Sequence, residues 1–312
     1  MRIVFMGTPD FAVPSLRRLA ESGYGPVAVV TAPDKPRGRG RRIHPTPVKE
    51  EAQRLGIRTI LQPASLHDPV FAEAVRRLTP DLIVVVAFRI LPPDVFRIAR
   101  KGAFNLHGSL LPKYRGAAPI HRAVMAGETQ TGVSTFFLRE TVDTGNVILQ
   151  KTMPIGPDET TGDVHDRMMV MGAEAVVETV RCIERGEVEV HPQNDEEATP
   201  APRIRKEDAR IVWDRPAYQV HNGIRGLSPH PGAWTCDGES MVKIYRTRVA
   251  HPGRQGEVQG MPGQVTDVSD RLVVACGEGA VELLELQQEG RRRIPAMDFL
   301  RGHALPVGHL FK

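Results

Sequence analysis

Asn105 and His107 sit two residues apart at the end of the short run AFNLH, and a carboxylate, Asp143, lies downstream in the turn-like sequence VDTGN. Read as a strand, the run has a side-chain period of two, so both polar groups leave the same face. In open α/β sheets ligands collect at the carboxyl ends of the strands, and a polar pair there marks a candidate site. An Asn, a His and an Asp together suit acyl transfer to an amine. The attack creates a tetrahedral oxyanion, to which an Asn amide donates without any change of charge. The attacking nitrogen must lose a proton and the departing nitrogen must gain one, which is proton work for a His near neutral pH. A neighbouring Asp would fix the imidazole's tautomer. No step requires a metal or a covalent enzyme intermediate. By residue type alone the three are weak evidence, because Asn and Asp are common in turns and a lone His is usually a satisfied polar side chain. The elements around them have to decide.

Those elements alternate. Residues 2–6 predict a first strand. Asp10 predicts a helix cap ahead of Phe11, Val13, Leu16, Leu19 and Ala20 at helical spacing. Residues 27–31 predict a second strand, and 35–42 a Gly/Arg loop. Thr46 caps a helix that opens on Pro47 and closes at Gly56, the expected asymmetry of Pro inside the start and Gly past the end. A short strand at 59–61, a helix from Asp68 to about 78, the strand 81–87, apolar from Leu82 onward, and the strand 103–106 follow. After Gly127, strands at 131–138 and 147–154 flank the turn 142–146. A long helix, 160–185, carries a Thr160/Asp163 capping signal and ends at Gly186. This predicts a doubly wound, mostly parallel, Rossmann-like α/β sheet over residues 1–189. The stretch NDEEATPAPRIRK has no apolar period and two prolines, so residues 190–206 are expected to be a linker. Beyond it the texture changes. One helix near 217–224 precedes strands around 241–249, 263–268, 272–275 and 280–286, punctuated by Gly and Pro. A small five-stranded OB-like β-barrel is predicted for residues 207–312.

The bulk properties set limits. At roughly 100–200 residues per domain, a chain of 312 residues implies two domains. Apolar content of 41% with 25% charged residues is a globular profile. No run approaches the ~20 apolar residues of a bilayer span. The opening MRIVFMGTPD is too short for a signal-peptide core and reads as a strand. Three widely spaced cysteines without a C-x-x-C argue against a disulfide framework or a zinc site, and a reducing cytoplasm is the expected setting. The first strand is followed by GTPDFA and not by G-x-G-x-x-G, so a nicotinamide cofactor has no support. Gly7 instead suits the tight turn of a first βα loop. Net charge is only +4, but Lys35, Arg37, Arg39, Arg41 and Arg42 place five cations within eight residues, and Arg291–Arg293 form a second cluster. Such patches attract phosphate backbones.

The segment HGSLLPKYRGAAPI resembles the signature of the folate-dependent formyltransferases. A wider set of segments resembles the methionyl-tRNA branch of that family. FMGTPDFAVPSL is similar to its opening strand and loop, and TAPDKPRGRGRRIHPTPVK to its tRNA-inserting loop. VDTGN matches the segment carrying its aspartate, ATPAPRIRKEDARIVW its linker, and IRGLSPHPGAW the start of its second domain. The resemblance implies a catalytic trio at Asn105, His107 and Asp143. It implies folate contact at Ser109, Leu110, Leu111 and Pro112, with Phe88 and Arg89 in a wall beside the pterin. The wall departs from the family pattern: Ala87-Phe88-Arg89-Ile90-Leu91-Pro92 is one residue shorter than the usual Ala-Tyr-Gly, apolar pair and Leu-Pro. The implied donor is 10-formyltetrahydrofolate and the implied acceptor methionyl initiator tRNA, with no metal and no membrane.

The basic arm, Lys35, Arg37, Arg39, Arg41 and Arg42, is expected to contact tRNA phosphates and bases, with Arg41 or Arg42 deepest. The C-terminal barrel, carrying Arg203, Arg205, Lys206, Arg246, Arg248 and Arg291–Arg293, is expected to track RNA backbone. Trp213 and Trp234 read as core, and a monomer is expected. Three alternatives stay open. One is a formyltransferase for a small amine, which needs neither arm nor basic barrel. Another is a hydrolase that releases formate from formyl-folate. The last is an RNA-binding protein with an inactive α/β half.

Overall fold

The computed structural model describes residues 1–37, 42–250 and 260–312, with Arg37 and Arg42 described as backbone only. The chain divides into two compact units. The first comprises residues 1–119, 132–153 and 165–201, and the second residues 120–131, 154–164 and 202–312.

The first unit is built on strands β1 (Ile3–Gly7), β2 (Ala28–Val30), β5 (Ile60–Leu61), β6 (Leu82–Val86), β7 (Ala103–His107), β8 (Gln130–Phe137) and β9 (Val147–Pro154), ordered β5-β2-β1-β6-β7-β8-β9. Pairing is parallel from β5 through β7, and β8 runs antiparallel to β7. The sheet is therefore the expected mostly parallel, doubly wound kind. Every residue of β1 and β6 is buried, as central strands covered on both faces must be. Val4, Met6, Ile83 and Val85 pack against Phe71, Val75 and Val95, residues of α3 (Pro69–Arg77) and α4 (Pro93–Phe96). The Gly7 turn admits no side chain, because a Cβ there would stand 2.8 Å from Ala12 Cβ and 3.0 Å from the Val86 carbonyl oxygen.

Local chemistry sets the helix starts. Thr46 Oγ1 accepts from Lys49 N–H at the head of α2 (Pro47–Arg54), and Asp68 Oδ1 accepts from Val70 N–H at the head of α3. Thr160 and Asp163 exchange bonds at the start of α6 (Thr161–Arg185), a capping box. Asp10 does not cap a helix. It sits inside a 3₁₀ turn, Asp10–Ala12, and bonds the N–H of its own neighbour Phe11. Helix α1 begins three residues later (Val13–Glu21), with Pro14 in its first turn, where a missing N–H costs nothing. The expected loop at 35–42 also differs: Lys35–Arg37 (β3) and Arg42–His44 (β4) pair as an antiparallel hairpin.

The second unit contains α5 residues 120–125 (of Pro119–Met125), α7 (Ala217–Gly226) and a curled antiparallel sheet of β10 (Ala233–Asp237), β11 (Ser240–Val249), β12 (Val265–Asp267), β13 (Leu272–Ala275) and β14 (Ala280–Gln288). The strand order is β10-β11-β14-β13-β12, and a short sixth strand, β15 (Ile294–Pro295), pairs with β14. Register shifts in β11 between Ile244 and Thr247, and in β12, bend the sheet. Its inner face packs Val242, Ile244, Val265, Leu283 and Leu286 with Ile224 of α7 and Phe299 of the closing helix α8 (Ala296–Gly302). Trp213 is core as expected: it stacks on Phe311, and its indole N–H donates to Thr235 Oγ1 at 3.0 Å. Trp234 is only half-buried, with Arg210 over its ring.

Candidate active site

Asn105 and His107 lie on β7 between the parallel β6 and the antiparallel β8, Asn105 in register with Val85 and Phe136, His107 opposite Ser134. Asn105 is half-buried, and its side-chain amide has no hydrogen-bond partner among the described residues. An uncommitted amide at a strand end is a ready donor. His107 is 6% exposed. Its Nε2 lies 2.8 Å from the Tyr114 carbonyl oxygen, which can only accept, so this nitrogen carries a proton. Nδ1 faces Asp143 Oδ2 at 3.8 Å, too long for a direct hydrogen bond. The structure thus brings a strand-end imidazole and a carboxylate 36 positions away together, on the face that Asn105 shares.

Asp143 has a left-handed backbone, φ 57°, which Asp tolerates better than most residues. Its Oδ2 accepts from Gly116 N–H at 2.9 Å. The turn doubles back so tightly that a Cβ on Gly145 would fall 1.6 Å from the Phe137 carbonyl oxygen, so only glycine fits there. Asp143 and its surroundings are low in water: the carboxylate side chain is 12% exposed and the imidazole 7%. A charge in such a place acts more strongly than in bulk solvent.

The loop after β7 is braced by hydroxyls. Ser109 is fully buried, and its Oγ donates to the Lys113 carbonyl at 2.6 Å. Ser134 Oγ donates to the Ser109 carbonyl at 2.7 Å and accepts from Leu111 N–H at 3.0 Å and Gln150 Nε2 at 2.9 Å. Gln150 Nε2 also donates to the Leu111 carbonyl. Leu111 packs with Phe136 and Val147, while Leu110 and Pro112 are half-buried. Of the four loop residues expected to meet folate, Ser109 spends its side chain inside the loop, and Leu110 and Pro112 keep partial exposure. Ser134, Gln150 and Tyr114 were not anticipated as parts of this site. Tyr114 at least lies inside the HGSLLPKYRGAAPI signature, whereas Ser134 and Gln150 carry no sequence signal of their own.

Phe88 and Arg89 are half-buried after β6. The Arg89 guanidinium donates to the carbonyls of Pro63 and Ala64, at 2.9 and 3.0 Å, and its carbon lies 5.4 Å from the Phe88 ring centre. Burial holds its pKa below the usual arginine value. Arg89 therefore pins the 63–64 segment and is not a free surface cation. An open cavity of about 680 Å³ is lined by Phe96, Ala103, Phe137 and Leu138, with Glu140, Thr141 and Thr144 of the turn that carries Asp143. These lining residues were not picked out in the sequence. Arg97, Arg100 and Arg139 also line it, whereas Asn105, His107, Asp143 and residues 109–112 do not, so this cavity lies at the start of β7, apart from the catalytic groups. Among the described residues no group of His, Cys, Asp and Glu could hold a metal ion.

In the basic arm, Arg37 and Arg42 face each other in register across β3 and β4, and Lys35 is exposed. Arg39 and Arg41 lie outside the described residues. The base of the arm is tied down: Asp34 takes Lys49 Nζ at 2.6 Å and Gln62 Nε2 at 2.7 Å, bonds that hold its carboxyl below the usual range. In the second unit Arg246, Arg248 and Arg293 are engaged with Glu285, Glu282 and Glu285 respectively. Their charge is thus partly cancelled, while Arg291 and Arg292 stay exposed.

The model of the formyl transferase family matches residues 1–180, and that of the formyl transferase C-terminal domain matches residues 203–304. The chain is 49% identical to the methionyl-tRNA formyltransferase of Chlorobium luteolum, over 97% of this chain and 96% of that one. It is 44% identical to the methionyl-tRNA formyltransferase of Caldanaerobacter subterraneus, over the full length of both. The fold is similar to the N-formyltransferase of Helicobacter canadensis, solved in complex with folinic acid and dTDP-3-aminofucose. That likeness has a TM-score of 0.67 and 18% identity, and it covers 91% of this chain and 98% of that one.

Proposed function

The chain belongs to the formyl transferase family, and on that premise we propose that it moves the formyl group of 10-formyltetrahydrofolate to the free amino group of methionyl initiator tRNA. The observation that carries the reading at residue level is the placement of His107 Nδ1 3.8 Å from Asp143 Oδ2, on the strand face shared with the uncommitted amide of Asn105.

In this mechanism the methionyl nitrogen attacks the formyl carbon. Asn105, whose amide is left free to bond, donates to the formyl oxygen as it becomes an oxyanion. His107 has Nε2 committed to Tyr114 and Nδ1 open. A proton released by the attacking nitrogen arrives at Nδ1 beside the Asp143 carboxylate. As the carbon–nitrogen bond to folate breaks, the same proton is returned to the departing folate nitrogen. One bond forms, one breaks, and no net proton is consumed. The pterin is seated against the 109–112 loop, which contributes backbone groups, with Phe88 and Arg89 after β6 beside it. The paired strands β3 and β4 present the arm to the acceptor end of tRNA, where Arg neutralises phosphate and stacks on bases. A cytoplasmic setting and a monomeric chain are part of this proposal. No helix among the described residues is long and apolar enough to cross a membrane.

The test compares formyl transfer to methionyl initiator tRNA with transfer to free methionine, in the wild type and in Asn105→Ala, His107→Ala and Asp143→Asn. Transfer should require the tRNA. His107→Ala should lower kcat by about 10²–10⁴ while tRNA affinity holds. Wild-type turnover in His107→Ala, or loss of tRNA binding in parallel, refutes the assignment. Rapid formate release without tRNA would instead support a hydrolase.

A further inference from the structure

The segment expected to be a mere linker hydrogen-bonds to both halves of the site within the first unit. Residues 191–201 are mostly exposed, but Gln193 turns inward. Its Nε2 donates to the carbonyls of Asp143 at 2.9 Å and Gly145 at 2.7 Å, clasping the turn from behind. Its Oε1 accepts from Nε and Nη2 of Arg115 at 3.0 and 2.8 Å. Arg115 is itself held by Asp195 at 2.8 Å. The Gln193 amide is thereby fully used, with both donors and both lone pairs engaged.

The same segment fixes the loop that meets His107. Tyr114 N–H donates to Thr199 Oγ1 at 2.9 Å, Arg115 N–H to the Thr199 carbonyl at 2.9 Å, and Ala201 N–H to the Arg115 carbonyl at 2.6 Å. Further along, His191 and Val147 exchange backbone bonds at 2.8 Å on the far side of the turn. Tyr114 and Asp143 are two of only four non-glycine residues with left-handed backbones among those described. Such conformations persist where the surroundings over-determine them. Here one strap supplies that constraint to both, one presenting the carbonyl that holds His107 and the other the carboxylate that faces it.

We propose that residues 191–201 are a positioning strap of the active site, and that Gln193, oriented by Arg115, sets the placement of the Asp143 carboxylate against His107. The proposal rests on the catalytic reading of His107 and Asp143. Gln193 touches no reacting atom and acts through Asp143, so it is a positioning residue.

The experiment uses the full chain with 10-formyltetrahydrofolate and methionyl initiator tRNA, and the variants Gln193→Ala, Gln193→Glu and Arg115→Lys. Gln193→Glu keeps the acceptor for Arg115 and loses the donors to the turn. Both Gln193 variants should lower kcat by about tenfold or more, as expected for a small misplacement of a catalytic group, with both KM values and the thermal midpoint close to wild type. Arg115→Lys keeps the charge without the fork and should fall between them and the wild type. In an Asp143→Ala background, single-turnover rates should show no further loss on adding Gln193→Ala, because the residue acts only through the carboxylate. Wild-type kcat in both Gln193 variants overturns the proposal. So does an equal loss with and without Asp143, or a loss that merely follows the folded fraction. Full activity of Asp143→Ala alone would overturn the catalytic reading itself, a result the Gln193 variants cannot produce.

Discussion

Ser134→Ala removes one oxygen from the first unit, and the structure says what that should cost. The hydroxyl is fully buried and makes three bonds, to the Ser109 carbonyl, Leu111 N–H and Gln150 Nε2. Gln150 keeps its bond to the Leu111 carbonyl. The Ser109 carbonyl and the Leu111 amide both lose their Ser134 partner in a closed environment. Each buried group left unsatisfied costs about 1–3 kcal/mol, and water entering the vacated space offsets part, so a loss of about 2–3 kcal/mol is expected. In a unit of this size that lowers the thermal midpoint by about 4–12 °C. Ser15→Ala is the internal control. Ser15 is just as buried, but its Oγ has no partner among the described residues, so the same substitution there should be neutral or stabilising. Far-UV circular dichroism during heating reads both variants, and the formyl-transfer assay reads the consequence for the 109–112 loop. Ser134→Ala should lose turnover at temperatures where it is still folded, while Ser15→Ala should not. Equal midpoints for the two variants would show that the hydroxyl network is not what holds the loop.

Two further outcomes follow from titrating groups. Hydrogen bonds from Arg54 and then Arg17 depress the buried Glu51 carboxyl from 4.5 to about 2. A folded value below the unfolded one means the stabilisation is present above about pH 4.5 and is lost as pH falls towards 2. Discounting for the half-exposed arginines, it amounts to about 1–2 kcal/mol. The stability gap between wild type and Glu51→Gln should therefore narrow in urea titrations from pH 7 to pH 3, and a gap constant with pH would refute the pairing. Burial pushes the Cys276 thiol up to about 12. Iodoacetamide at pH 8 should therefore label the half-buried Cys182 and Cys236 well before Cys276, and early labelling of Cys276 would contradict its place in the core.

What could be read in the sequence was local. The caps at Thr46 and Asp68, the Thr160/Asp163 box and the unbroken apolar run of β6 depend on neighbours within a few residues, and the structure repeats them almost unchanged. The period-two spacing of Asn105 and His107 put them on one face for the same reason. Asp10 misled because its carboxylate bonds the adjacent N–H, a local alternative to capping that the residue type cannot reveal. β10 and β15 lack any strong alternation and exist because β11 and β14 provide edges. The basic arm lacked apolar content, yet its ends pair as β3 and β4.

The placement of the site's polar groups explains why its signature contains more than the reacting residues. In HGSLLPKYRG His107 turns its side chain towards Asp143. Ser109 bonds inward, Tyr114 contributes a carbonyl, Arg115 grips Gln193, and Gly116 contributes an amide to the carboxylate. A strand end can aim a side chain but cannot hold a carboxylate 36 positions away at a fixed separation. That separation, 3.8 Å, is set by loops whose backbones are individually unfavourable at Tyr114 and Asp143 and are held by bonds from Ser134, Thr199 and Gln193. A transplanted strand carrying Asn105 and His107 alone would thus keep the donor and the imidazole but lose the carboxylate. On this structure the reactive geometry is a property of the bracing, and substitutions that spare every reacting atom should still reach the chemistry.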